Sequence, residues 1–153
     1  MAELKNDLTR FLEAQNKLYL KALMEISKGK KETHWMWFIF PQLKGLGKSE
    51  MSKLYAIENL KEAEAYLNHP VLGKHLIEVS KILLSFKMKS AEGIFGDLDA
   101  RKLHSSMTLF SLTDNTDPVF QEVLDAFFLG KFDPLTLSII NEMIHPALER
   151  TEF

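Results

Sequence analysis

Apolar residues in this chain recur at intervals of three and four, and no stretch of four or more residues sustains the apolar-polar alternation of a half-buried strand. Such spacing lines side chains along one face of a helix, so the sequence predicts an all-α fold. Leu8, Phe11, Leu12, Tyr19, Leu23 and Ile26 mark an amphipathic helix that should stop near Gly29, where glycine can adopt the left-handed conformation that closes a helix. Start signals announce the others. Ser49, Asn59 and the repeated pairs Asp117-Pro118 and Asp133-Pro134 each offer a side-chain oxygen to first-turn N–H groups, and proline gives up a bond the first turn does not make. Pro70 precedes an apolar run from Val71 to Phe86, expected at the centre of the fold. Ser90 opens a short turn to Gly96, and Asp99 is expected to cap the helix carrying Leu103 to Phe110.

The expected architecture is a compact array of about seven to eight helices. It contains one irregular aromatic segment near 34–47. Within that segment, Trp35 to Phe40 is open between a buried strand and a buried helical turn, because periodicity does not separate the two in so short a run.

The 153 residues suit one domain over 1–153. The longest apolar run, Trp35 to Phe40, is far short of the roughly 20 residues a membrane helix needs. No membrane association is expected. The polar start Met1 to Asp7 lacks a secretory pattern, which makes cytoplasmic the default location. There is no cysteine, which excludes disulfides, thiolate metal ligands and a cysteine nucleophile. The net charge of −2 conceals an asymmetry: residues 28–53 carry six lysines against two glutamates, and residues 114–153 carry eight acids against Lys131 and Arg150. An anionic ligand would prefer the first region.

That region contains His34-Trp-Met-Trp-Phe-Ile-Phe-Pro-Gln-Leu-Lys-Gly-Leu-Gly47. Its end, Gly45-Leu-Gly-Lys-Ser49, resembles part of a phosphate-binding loop, but Gln42 stands where such a loop needs its first glycine. What remains is a flexible glycine turn with Lys44 and Lys48 leading to a helix start, a suitable place for an anion. His34, in apolar company, is the candidate acid or base; the competing role is a core or capping histidine. Trp35 and Trp37 are candidate stacking platforms, with burial in the core as the competing role. Lys102, Ser105 and Ser106 share a helix face and together could hold an anionic or carbonyl group. His69, His75, His104 and His145 show no ligand spacing, and no metal or cofactor is expected. Asp97 and Asp99 beside Gly96 are accounted for by a turn and a helix cap.

Long strings at these positions carry a resemblance. His-Trp-Met-Trp-Phe-Ile-Phe-Pro-Gln-Leu with Gly-Leu-Gly (34–47), Ala-Tyr-Leu-Asn-His-Pro-Val-Leu-Gly (65–73), and Ile-Phe-Gly followed by Ser-Ser-Met-Thr-Leu-Phe (94–110) resemble the bacterial domain of unknown function family numbered 1810, whose members are sometimes mislabelled calpastatin. The resemblance covers about 7–141 and leaves 142–153 as a tail without a role. It implies a compact helical domain, with polar motif positions at His34, Gln42, His69, Asp99, Lys102, Ser105 and Ser106, and it assigns no activity.

The functional expectation is a pocket built from the 34–47 segment and the 99–110 helix that binds a small anionic or nucleotide-like ligand. Its expected ligand-binding residues are Trp35, Trp37, Gln42, Gly45, Gly47, Lys102, Ser105 and Ser106, with His34 as an acid or base if a reaction is catalysed. The alternative is a non-catalytic module that docks a protein partner through the aromatic segment. Nucleic-acid contact through Lys28, Lys30, Lys31, Lys44 and Lys48 is a third reading, disfavoured by the negative net charge.

Overall fold

Four of the five helix starts that the sequence flags with a capping oxygen are made by that side chain. Ser49 accepts from the Ser52 N–H, Asn59 from Glu62, Asp117 from Val119 and Asp133 from Thr136. These open α3 (Glu50–Leu54), α4 (Leu60–Asn68), α8 (Pro118–Phe128) and α9 (Pro134–Ile144). The computed structural model describes residues 7–145. The polar start before Asp7 and the tail beyond His145 lie outside the described residues.

Asp99 is the exception. The turn expected from Ser90 to Gly96 is a short helix, α6 (Ala91–Phe95), capped by Ser90. Helix α7 (Asp97–Ser111) starts two residues before Asp99, with Gly96 as its cap at φ 83° and ψ 166°. Glycine alone adopts that backbone without strain, so the chain breaks and restarts there, leaving the Asp99 carboxylate free for side-chain partners. The aromatic run is likewise resolved as a helix, α2 (Met36–Ile39). Extended pairing among the described residues is limited to one parallel bridge, Leu43 to Ile57.

Helix α1 (Thr9–Ser27) ends two residues before Gly29, whose φ of 73° turns the chain away near the expected stop. It packs on α2 and on α5 (Leu72–Leu83), which continues as a 3-10 turn through Phe86. Helix α5 also meets α4 and α8, while α7 meets α4, α6, α8 and α9. The centre is therefore shared between α5 and α7. Phe11, Trp35, Phe40, Tyr66, Phe110 and Phe120 are fully buried between these layers. Where α4 runs into α5, a Cβ on Gly73 would lie 2.1 Å from the Leu67 carbonyl oxygen. The close approach of the two backbones requires glycine there.

The segment after α1 is held by an unusual core residue. Glu25 is 2% exposed, and its Oε1 accepts from the Glu32 N–H at 2.7 Å, the Thr33 N–H at 3.0 Å and the Trp35 indole Nε1–H at 2.8 Å. Its Oε2 accepts from the Thr33 hydroxyl at 2.7 Å. Burial alone would raise the carboxyl pKa, but four donors converging on the charged form outweigh it and bring the value down to about 2. The carboxylate thereby fixes the path of the chain from Glu32 to Trp35.

Two outcomes follow. Gly73→Ala should destabilise the fold by roughly 3 kcal/mol, because the obstructing atom is backbone and cannot rotate away; a urea midpoint equal to the parent's would contradict this contact. Glu25 is ionised in the folded state well below the ordinary glutamate value of 4.5, so its contribution is whole above about pH 4.5 and is lost as pH falls toward 2. Glu25→Gln leaves donors facing an amide and should cost about 2–4 kcal/mol at pH 7. In urea titrations at pH 7, 4 and 2.5, the gap between parent and variant should close on acidification.

Candidate functional site: a lysine-lined cleft at the start of α7

The chain that Glu25 fixes forms one wall of a cleft of about 460 Å³, with Lys31, His34, Met36 and Trp37 on it. The opposite wall is the α6–α7 junction, from Phe95 through Gly96 to Asp99, together with Lys102. The volume lies in the range that holds a small molecule.

Asp99 joins the two walls. Its Oδ2 accepts from Lys31 Nζ at 2.8 Å and its Oδ1 from Lys102 Nζ at 3.3 Å. Lys31 is also anchored by its own N–H on the Ile94 carbonyl at 2.8 Å, and its ammonium donates to the Thr33 carbonyl at 2.5 Å. The same ammonium stands 5.0 Å from the centre of the Trp35 ring. Lys31 therefore has three kinds of partner and serves as structure. Lys102 is held less tightly: its ammonium lies 5.3 Å from the centre of the half-buried Trp37 ring, an arrangement in which the ring face attracts the cation.

Two lysines share one carboxylate, so the Lys31, Asp99 and Lys102 cluster carries a net positive charge. Helix α7 contributes in the same sense. It begins at a glycine, no side chain caps it, and its first-turn residues Asp97 to Asp99 belong to the cleft wall. Such an end attracts negative charge. Asp97, exposed on the same turn, balances the formal charge of the cleft lining, so the attraction for an anion is local to the ammonium groups and the helix end.

Of the residues singled out from sequence, His34, Trp37 and Lys102 meet at this cleft. His34 is exposed on its wall. Trp35 does not reach it; it is fully buried, with its indole N–H on Glu25. Gln42 is half-buried, and its carbonyl accepts from the Ile57 N–H at 2.8 Å. Gly45 has a φ of 101°, and a Cβ on Gly47 would lie 2.4 Å from the Ser52 side chain, so both glycines answer backbone needs. Ser105 turns away from the cleft, its hydroxyl shared between the Arg101 carbonyl at 3.1 Å and Asp133 Oδ2 at 3.0 Å. Ser106 is fully buried.

Sequence reasoning left Gly96 and Asp99 outside the expected pocket and gave Lys31 only the nucleic-acid reading. The Gly96, Asp97, Asp99 pattern was the available signal, absorbed there by a capping role. Among the described residues, no group of three His, Asp or Glu side chains could hold a metal ion, and no helix is long and apolar enough to cross a membrane. The lysines of the 28–48 stretch are partly neutralised by pairing, Lys28 with Glu32 at 4.0 Å and Lys44 with Glu58 at 3.2 Å.

No curated protein matches the chain. Among solved structures, it is similar to the conserved hypothetical protein Rv1873 from Mycobacterium tuberculosis, with 41% identity and a TM-score of 0.86 over 88% of this chain and 96% of that one. A family model described as protein of unknown function (DUF1810) matches residues 5–140. With helix after helix shared with a solved relative and nearly the whole described chain matched, this protein belongs to the DUF1810 family.

Proposed function

We propose that the cleft at the start of α7 binds a small anionic ligand carrying a flat ring, of nucleotide-like character. One observation carries the reading. The Lys102 ammonium stands between Asp99 and the Trp37 ring, beside a helix amino end that has no capping side chain. A negative group at that end meets backbone N–H donors and a lysine whose carboxylate partner, Asp99, is already shared with Lys31. A planar ring can then lie along Trp37. His34, the imidazole on this wall, is the group placed to exchange a proton with the bound molecule if a reaction follows.

The protein-docking alternative needs an exposed aromatic face. Trp35 is fully buried and Trp37 half-buried in a concave wall, which favours the small ligand.

Thermal-shift titration with inorganic phosphate and a panel of nucleotides tests the reading. A member present at 100 times its dissociation constant should add about 2.7 kcal/mol of stability. Lys102→Ala and Trp37→Ala should each weaken that binding at least about tenfold, the scale of a charge-assisted bond or a buried stacking contact. A stabilising ligand whose effect survives both substitutions, or a panel without any such ligand, would overturn the assignment.

A further inference from the structure

A second cleft, of about 610 Å³, opens between α1 and α5, with Leu12, Gln15, Asn16, Tyr19, Val71 and His75 on its walls. None of these residues belongs to the lysine-lined cleft. Its polar chemistry is set by a chain of hydrogen bonds that admits one assignment of protons.

Gln15 is 4% exposed, and its Nε2 lies 2.8 Å from the Phe38 carbonyl and 2.9 Å from the Tyr66 hydroxyl. A carbonyl only accepts, so the amide nitrogen must face Phe38 and the amide oxygen must face the other way. That oxygen lies 2.7 Å from His75 Nδ1. It too can only accept, so Nδ1 must carry a proton and donate it. In the neutral ring, Nε2 is then left with its lone pair. Nε2 has no hydrogen-bond partner among the described residues.

The ring is also fixed in orientation. It stacks on Tyr19, with centres 3.5 Å apart and planes 8° from parallel. Burial pushes the His75 pKa below the ordinary histidine value; Lys74 on the same helix adds to this and Glu78 opposes it. Burial and Glu78 hold the Tyr19 hydroxyl protonated, and it donates that proton to the Glu78 carboxylate. The acceptors this cleft offers a visitor are His75 Nε2 and the Glu13 carboxylate, and the Asn16 amide adds both a donor and an acceptor. Leu12, Leu20 and Val71 supply apolar surface around them.

We infer that the α1–α5 cleft is a second binding site, for a small alkyl ammonium ligand that donates to His75 Nε2 while its cation faces Glu13. It is independent of the anion reading of the first cleft.

The test uses the full chain labelled uniformly with 13C and 15N. At pH 7.5 the His75 resonances should report a protonated Nδ1 and an unprotonated Nε2. Titration with 1,4-diaminobutane should move the Nε2 resonance saturably, butane-1,4-diol should bind roughly tenfold or more weakly, and succinate should leave the resonance unmoved. His75→Phe keeps an aromatic ring against Tyr19 and removes the acceptor; it should weaken diamine binding, read at the Tyr19 and Leu12 signals, by roughly tenfold or more. The inference is overturned by a ring protonated at Nε2, by no saturable response to the diamine, or by diamine binding that His75→Phe leaves intact. The first two readings need no variant, so they stand even if His75→Phe does not fold.

Discussion

A buried carboxylate with four donors around it is the constraint on which the candidate site rests. Glu25 lies in the last part of α1, where an apolar residue would serve the core better, and its burial would be costly without partners. The partners all come from the short stretch Glu32 to Trp35. That stretch has little regular structure to satisfy its own N–H groups, so the carboxylate does for it what a helix ladder would do elsewhere. Trp35 is drawn inward by its indole N–H, and the chain beyond it carries Trp37 to the cleft wall.

A second carboxylate extends the arrangement across the molecule. Asp99 receives Lys31 from the Glu25-bound stretch and Lys102 from its own helix, joining the two walls with charge-assisted bonds. Its availability traces to Gly96. Had a capping side chain opened α7, that side chain would have taken first-turn N–H groups that are now uncapped. The structure thus combines a fixed frame, made by Lys31, with a cation shared between Asp99 and a ring face, Lys102. The α1–α5 cleft is fixed in a comparable way, by an amide whose orientation Phe38 dictates.

What the sequence made legible was local. Ser49, Asn59, Asp117 and Asp133 each bond two or three residues ahead, so their roles are written in adjacent letters. The helical spacing of α1 and α5 is equally short in range, and so is the stop at Gly29. Asp99 failed because Gly96 offered a backbone conformation that pattern alone does not reveal. Trp35 and Trp37 are two residues apart in a one-turn helix and its cap, and only the packing around Glu25 decides which goes inward. Lys102, Ser105 and Ser106 do share a helix face, but the long lysine reaches back toward the start of α7, while the short serines stay with the core and with Asp133. Gln15 and His75 are sixty positions apart, and their meeting depends on how α1 crosses α5. No spacing rule reaches that far.

The two carboxylates also differ in the length of chain they close. Glu25 binds groups seven to ten residues away, whereas Asp99 must capture Lys31 from across the sequence, 68 positions back by subtraction of the residue numbers. Loop-closure entropy rises with the logarithm of length, so the second closure costs roughly 2 kcal/mol more than the first. In an unfolded chain the Glu25 contacts are thus the easier encounter, and they shorten the search for the harder one by holding Lys31 in a defined turn. Chain topology thus makes the wall that begins at Lys31 the cheaper closure, and the cleft is complete only with α7 in place.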